Sequence, residues 1–395
     1  MKIIQILIGL AAILFIKIYS LFNQIQIGKV VGSRIGSILI FPEIHILESK
    51  KFNTKKIKFL WVEKPICNQY CLRLLKKEFT IIPEVIVRPA FIICRKLNIL
   101  KHIFIEDITK NGDRDVDSLL DKYPQQIKLS KNELAIGQKK LLEKFKIKNK
   151  KFICLIIRDS AYLDKKFPDK NWNYHDYRNG DIDRQYKHLV RFFIGKGYTV
   201  FRMGNLANKK LNLKDKSFID YPFSKHKSDF FDVYIGLNCE FCITNSTGFD
   251  TLPFLARKKL LFLNYAPIGY SWTFSKRVML SFKWHYDVKN KTYLNLNKIF
   301  KTDVYKSLTT QEFVNKSIKV TEINKEEILL LCNEFYGFYL NNKKILNSKK
   351  QINSKKYFRQ LLLKSKLKSI HGKSFNAYLA ISHFRKKKLE NFFLK

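Results

Sequence analysis

Glycine and proline are both scarce, at 15 and 9 of 395 residues. That excludes low-complexity linkers and collagen-like repeats, and 46% apolar residues make the chain globular rather than disordered. Acids are few as well: 33 against 75 basic residues, a formal charge of +42. Arginine supplies only 14 of those cations and lysine 61, alongside abundant isoleucine, asparagine and phenylalanine, so part of the charge reflects AT-rich coding. A charge of this size still favours anionic neighbours such as nucleic acid, lipid headgroups or phosphorylated substrates. The sparse arginines are more informative, because a planar guanidinium grips phosphate in a fork where lysine acts as a point charge.

Cysteine is limited to seven residues, an odd number without disulfide-framework spacing, which fits a reducing compartment. Cys239 and Cys242 form a C-x-x-C with no second pair at zinc-site spacing, and "CEFCIT" reads as a buried strand. A Walker lysine, a G-x-S-x-G elbow, G-x-G-x-x-G, H-E-x-x-H and the protein-kinase set are all missing, which removes most common enzyme classes.

The chain is long enough for two cores. "MKIIQILIGLAAILFIKIYSLF" is apolar from Ile3 to Ile16 except for Gln5 and has no A-x-A cleavage signal. It reads either as a membrane anchor or in-plane helix, or as a helix packed on the protein itself; if it spans, Lys17, Lys29 and Arg34 keep the body on the cytoplasmic side. "GSILIF" (36–41), "IKFLWVE" (57–63) and "FTIIP" (79–83) read as strands, with helices over 68–77 and 84–100. A second series runs "FICLIIR" (152–158), a helix over 183–195, "YTVFRMG" (198–204), "SFIDY" (217–221), a helix over 228–237, "EFCIT" (240–244) and "KLLFLN" (259–264). This alternation predicts an α/β protein with two Rossmann-like, doubly wound domains. The expected boundaries are 1–24 for the hydrophobic helix, 25–147 for the first domain, 148–336 for the second and 337–395 for a basic helical tail.

Within that series, "RDSAYLDKKFPDKNWNYHDYRNGDID" (158–183) stands apart, with six aspartates, no glutamate, five aromatics and both Arg158 and Arg178. It follows a buried parallel strand directly, and open α/β sheets bind ligands at strand carboxyl ends. So long a loop in a compact domain is uncommon unless it is functional; the plainer reading is a solvated connection in which Asp181 or Asp183 caps the next helix. "TNSTGFD" (244–250) is a second such turn, either an ordinary cap or a site where backbone N–H groups and a helix start meet a diphosphate. "GDRDVD" (112–117) reads as a solvated loop.

"RDSAY", "YHDYRNGDID", "YTVFRMG", "FIDY" with "SDFFDVYI", "CEFCITNSTG" and "FLN" together resemble a bacterial family assigned as glycosyltransferases and found with surface-polysaccharide genes. "SRIGS" (33–37), "LTTQEF" (308–313) and "INKEEILLLCNEF" (323–335) are similar to its remaining motifs, so the resemblance covers roughly 27–336. "HG" (371–372) and "ISHF" (381–384) match only weakly, and Gly180 stands where a larger or acidic residue is expected. The resemblance implies a GT-B architecture and a sugar moved from a nucleotide-activated donor to a lipid-linked or growing cell-surface glycan. Residue by residue it points to Arg158, Asp159, Tyr162, Tyr177, Arg178, Asp181, Arg202, Gly204, Asp229, Ser246 and Gly248, without saying which does what. Donor binding is expected of these residues other than Asp159 and Asp181, together with Thr244 and Thr247 of the second turn, and an acceptor side at Arg34 and Gly36, with a nucleotide sugar as co-substrate and no metal.

For a catalytic base, Asp159 is favoured as rigidly held at a strand end, with Asp181 next; Asp183 is expected to be occupied as a cap, and His175 to be a surface histidine. The expected place is the cytoplasmic face of the inner membrane, against an anionic surface, with no specific nucleic acid partner. Competing readings are a non-catalytic basic module for membrane or nucleic acid, or a pyruvyl-type transferase on a similar frame.

Overall fold

The computed structural model describes residues 3–148, 151–166, 168–341, 349–372, 375–382 and 392. The protein is a mixed α/β structure with two parallel sheets. The first has the order β3-β2-β1-β4, built from β1 (Ile27–Val31), β2 (Phe59–Glu63), β3 (Thr80–Ile81) and β4 (Phe104–Ile105). The second has seven strands. In it β5 (Phe152–Ile156) is flanked on one side by β6 (Thr199–Arg202) and β7 (Phe218–Asp220), and on the other by β8 (Phe241–Thr244), β9 (Lys259–Tyr265) and β10 (Val278–Phe282). A small antiparallel sheet of β11 (Trp284–Asp287), β12 (Thr292–Tyr293) and β13 (Ile318–Thr321) follows, and β14 (Tyr378–Leu379) closes the far edge of the large sheet against β10.

All five β5 residues are buried, as a strand covered on both faces requires. Register runs Cys154 to Phe201 on β6 and to Cys242 on β8. The chain therefore leaves β5 one way towards β6 and returns on the other side at β8, which makes the β5/β8 boundary the topological switch point. Cys239 and Cys242 are fully buried in this core.

The two sheets are held together by helices from each. Helix Lys131–Phe145 begins with a capping box between Ser130 and Glu133. Its Gly137 lies so close to Tyr234 of helix Asp229–Asn238 that a Cβ there would sit 2.0 Å from the ring. Asn68, the cap of helix Gln69–Leu75, also donates to the Asp229 carbonyl at 3.1 Å.

Several sequence expectations are corrected. "GSILIF", expected as a strand, is helical within Ile35–Ile38 and Ile40–Phe52, and the first strand is instead β1, whose glycine and lysine hid its character. The helix is needed because it carries Glu43, fully buried, to the backbone N–H groups of Gln126 and Ile127 and to Arg257 at 2.7 Å. "GDRDVD" is not solvated. Arg114 donates to the carbonyls of Ile370, Tyr270 and Ser271, and Asp115, 2% exposed, accepts from the N–H groups of Leu119 and Leu120. Burial pushes the Asp115 carboxyl up to about 7.

The 337–395 segment is helical over Lys349–Lys364 but also supplies β14, so it is woven into the large sheet. His371 bridges Thr273 and the Gly269 carbonyl, and Gly372, at φ +68°, packs on the Val116 carbonyl. Of "ISHF", residues 383 and 384 lie outside the described residues.

Candidate functional site at the switch point

The stretch after β5 is not one open loop. It forms a helix at Ala161–Lys166, a 3-10 turn at Asn173–Arg178 and a wide turn at Ile182–Tyr186. Asn245, just past β8, fixes its path: its Oδ1 accepts from Arg158 N at 2.8 Å and its Nδ2 donates to the Arg178 carbonyl at 3.2 Å. Gly180 N donates to the Arg158 carbonyl at 2.9 Å. A Cβ on Gly180 would lie 2.9 Å from Ile157 and 3.0 Å from Glu322, so the larger residue expected there has no room.

This closure gathers three cations at the carboxyl ends of β5 and β8. Arg158 reaches the His175 carbonyl at 3.5 Å and Asn179 Oδ1 at 3.4 Å. Arg178 donates from Nη2 to the Ser246 carbonyl at 3.0 Å, while its Nε is buried without a partner. Lys283, 3% exposed, donates to the Asn179 carbonyl at 2.6 Å. All three hydrogen-bond to neutral oxygens. Burial, then Arg178, pulls Arg158 down to about 10. Burial lowers Lys283 to about 8, with Glu322 opposing and the two arginines reinforcing the fall. The same environment explains His175, held at about 4 by burial and by both arginines, with its Nδ1 buried and unpartnered. It is a neutral member of the cluster rather than a surface histidine.

Beneath the cluster, Asp250 accepts from Thr247 N at 2.9 Å and the Thr244 hydroxyl at 3.1 Å, leaving Oδ1 buried and unpaired. Burial raises this carboxyl to about 7. Ser246 adopts φ +76°, and the N–H groups of Ser246, Thr247 and Phe249 all donate inside the turn. The helix that follows, Thr251–Leu255, is a single turn. The turn's amides are thus satisfied internally, and the guanidinium and ammonium groups are what this site could offer an anion.

The remaining site residues divide by environment. Tyr177 is buried against Phe313, with ring centroids 5.0 Å apart, and burial raises its phenol to about 12. Arg202 is 1% exposed and occupied by Asp220 at 3.3 Å and Asp159 at 3.7 Å. Asp159 also accepts from Ala161 N at 3.1 Å and Asn208 N at 3.0 Å. Gly204, at φ +155°, ends that neighbourhood. Asp181 is the cap, accepting from Asp183 N and Arg184 N, so the capping role expected of Asp183 falls to it. Asp229 accepts from Gln69 N at 2.6 Å and so joins the two halves. Tyr162 is half-buried near Cys67, and burial raises its phenol. Exposed Arg34 precedes Gly36, which packs directly on Gly248.

Sequence reasoning missed Asn245, Lys283 and Glu322. The signal for Lys283 was a lone lysine in the apolar run "VMLSFKW", masked by 60 other lysines. Two cavities border the stretch after β5. One of about 500 Å³ lies between Asp176–Tyr177 and Phe313, Val314 and Lys319. The other, of about 580 Å³, lies over the ends of β6 and β7, lined by Ala161, Asp164, Leu206, Asn208, Pro222 and Phe223.

No family model and no curated protein matches the chain. Among solved structures, E. coli ADP-heptose lps heptosyltransferase II is similar at 12% identity and TM-score 0.35, over 62% of this chain and 86% of that one. A glycosyl transferase family 9 protein from Veillonella parvula DSM 2008 is similar at 11% and 0.35, over 75% and 97%. S. aureus MnaA, solved with UDP, is similar at 11% and 0.26, over 80% and 97%. The likeness is distant, and the chemistry of this site rests on its own residues.

Proposed function

We propose that the chain is a GT-B-like glycosyltransferase whose nucleotide-sugar donor places its diphosphate on Arg158, Arg178 and Lys283. The observation that carries this reading is the convergence of three cations on neutral oxygens at the switch point, with Arg178 Nε and His175 Nδ1 left unpartnered. A diphosphate supplies the missing charge and acceptors, and the same cations stabilise it as the leaving group. The cavity of about 580 Å³ beside Asp159 has the size of a ligand pocket and takes the nucleoside. Tyr162 and Tyr177, on the same polar stretch, flank the donor, and Arg34 with Gly36 borders the acceptor side.

Asp159 and Asp181 remain the proposed carboxylates of the reaction, with Asp159 directly after Arg158 just past β5. The acceptor is a lipid-linked or growing glycan at the cytoplasmic face of a membrane. The test is thermal unfolding with a panel of UDP-, ADP-, GDP- and CMP-sugars. One class should stabilise saturably, by about 2.7 kcal/mol at a hundredfold excess over Kd. Absence of any nucleotide-dependent shift contradicts the proposal.

A further inference from the structure

Helix Ile3–Phe22 is apolar nearly all round, and such a helix needs apolar cover on every side. One side has it. Gly9, Ala12, Ile13 and Ile16 are buried, and a Cβ on Gly9 would lie 3.0 Å from the Pro89 backbone of helix Glu84–Lys96. The helix shares a core with Trp61, Phe91 and Phe104, and Tyr19 packs edge-on against Phe59 at 6.2 Å. The opposite side carries Leu7, Leu10, Leu14, Phe15, Ile18 and Phe22, between 50% and 81% exposed. Gly9 and Ala12 thus let the helix approach the protein closely, with Ile13 and Ile16 beside them, while a stripe of large residues faces outward.

We infer that this outer stripe docks in the plane of an anionic lipid bilayer, with the helix lying along the boundary between headgroups and acyl chains rather than crossing the membrane. Crossing would require peeling the helix from Pro89 and uncovering the core around Trp61 and Phe91. Lying flat buries the stripe and leaves those contacts intact, the geometry of an interfacial helix. Charge selects the partner. Lys17 flanks the stripe, Lys96 ends the packed helix and Lys101 follows, all exposed, and the chain's +42 charge repels a second copy while attracting acidic headgroups. This inference is independent of the donor chemistry and goes beyond it by fixing how the body is presented to the membrane.

The test uses full-length protein and vesicles of phosphatidylcholine with and without 30% phosphatidylglycerol (an added amount of about a third, enough to set a clear surface potential). Flotation with the acidic vesicles is expected, and the double variant Leu7→Gln with Leu14→Gln, both outward-facing, should reduce it at least tenfold with an unchanged unfolding midpoint. Depth is read with Leu14→Trp, near the helix midpoint, and Phe22→Trp, at its end, through added quenching by brominated lipids relative to the parent protein. These positions are about 12 Å apart along the helix axis. Equal, shallow depths support the in-plane mode. A Leu14→Trp ring near the bilayer centre, deeper than the Phe22→Trp ring by about 10 Å or more, would show a spanning helix, given the rise per residue, and overturn it. Absence of vesicle binding, or self-association that the double variant abolishes, overturns it as well.

Discussion

Gly36 and Gly248 meet backbone to backbone: a Cβ on Gly36 would lie 2.8 Å from the Gly248 Cα, and one on Gly248 would lie 3.1 Å from Gly36 N. Each glycine comes from a different half of the molecule, and the contact brings the Arg34–Gly36 segment against the turn whose Ser246 carbonyl holds Arg178. Gly36→Ala forces two backbones apart and should cost about 1–3 kcal/mol, as overpacking does. Urea denaturation checks this, and a nucleotide titration should show weakened binding in the same variant. A variant as stable as the parent contradicts the close approach.

Asp250 gives a pH signature. Its folded-state value of about 7 lies above the ordinary carboxylate range near 4. The native state therefore keeps a proton that the unfolded chain releases, so this group's contribution to stability falls as pH rises from about 4 to about 7. Asp250→Asn retains an acceptor for Thr247 N and the Thr244 hydroxyl and removes the titration. Relative to the parent it should be more stable at pH 8 than at pH 5. An identical difference in urea midpoint at both pH values contradicts the assignment.

Arg202 and Asp159 should separate structure from catalysis. Arg202 neutralises Asp220 and Asp159 from a buried position, so Arg202→Met should destabilise the fold by roughly 3 kcal/mol, the cost of breaking a buried pair. Asp159→Asn loses one of the two turn acceptors, at Ala161 or Asn208, and should lower the unfolding midpoint; a turnover loss of 10²-fold or more at a temperature where the variant is still folded would mark it as a base, and a loss below about tenfold would exclude it.

Much of this was legible in the sequence where local pattern and burial agree. "FICLI" and "FCIT" read as central strands because no polar face interrupts them, and their order placed Arg158 and Ser246 at one sheet edge. Where partners lie far away in sequence, pattern failed. "ILIF" is strand-like in composition but is drawn into helices that deliver buried Glu43 to Arg257, 214 positions on. Arg114 looked solvated because its three carbonyl partners lie more than 150 residues away. At the site, the two arginines stood out from a lysine background, whereas Lys283 became visible only when burial and distance singled it out.

Lys283 makes binding weaken at alkaline pH. Its ammonium is charged below about 8, and a bound diphosphate holds that proton in place. Diphosphate affinity should be level from pH 7 to 8 and fall above it, by up to about tenfold per unit until the bound-state value is reached. Lys283→Arg should remove the dependence, and calorimetric titration at pH 7, 8 and 9 checks it.

The most direct measurement is calorimetric titration of the parent, Arg178→Lys and Arg178→Gln with the nucleoside diphosphate selected by the unfolding panel. Arg178 Nε is the buried donor awaiting an acceptor, so the parent should bind saturably, with the Lys variant at least tenfold weaker and the Gln variant weaker still, at unchanged unfolding midpoints. Affinity equal in all three proteins would contradict the placement of the diphosphate on this cluster.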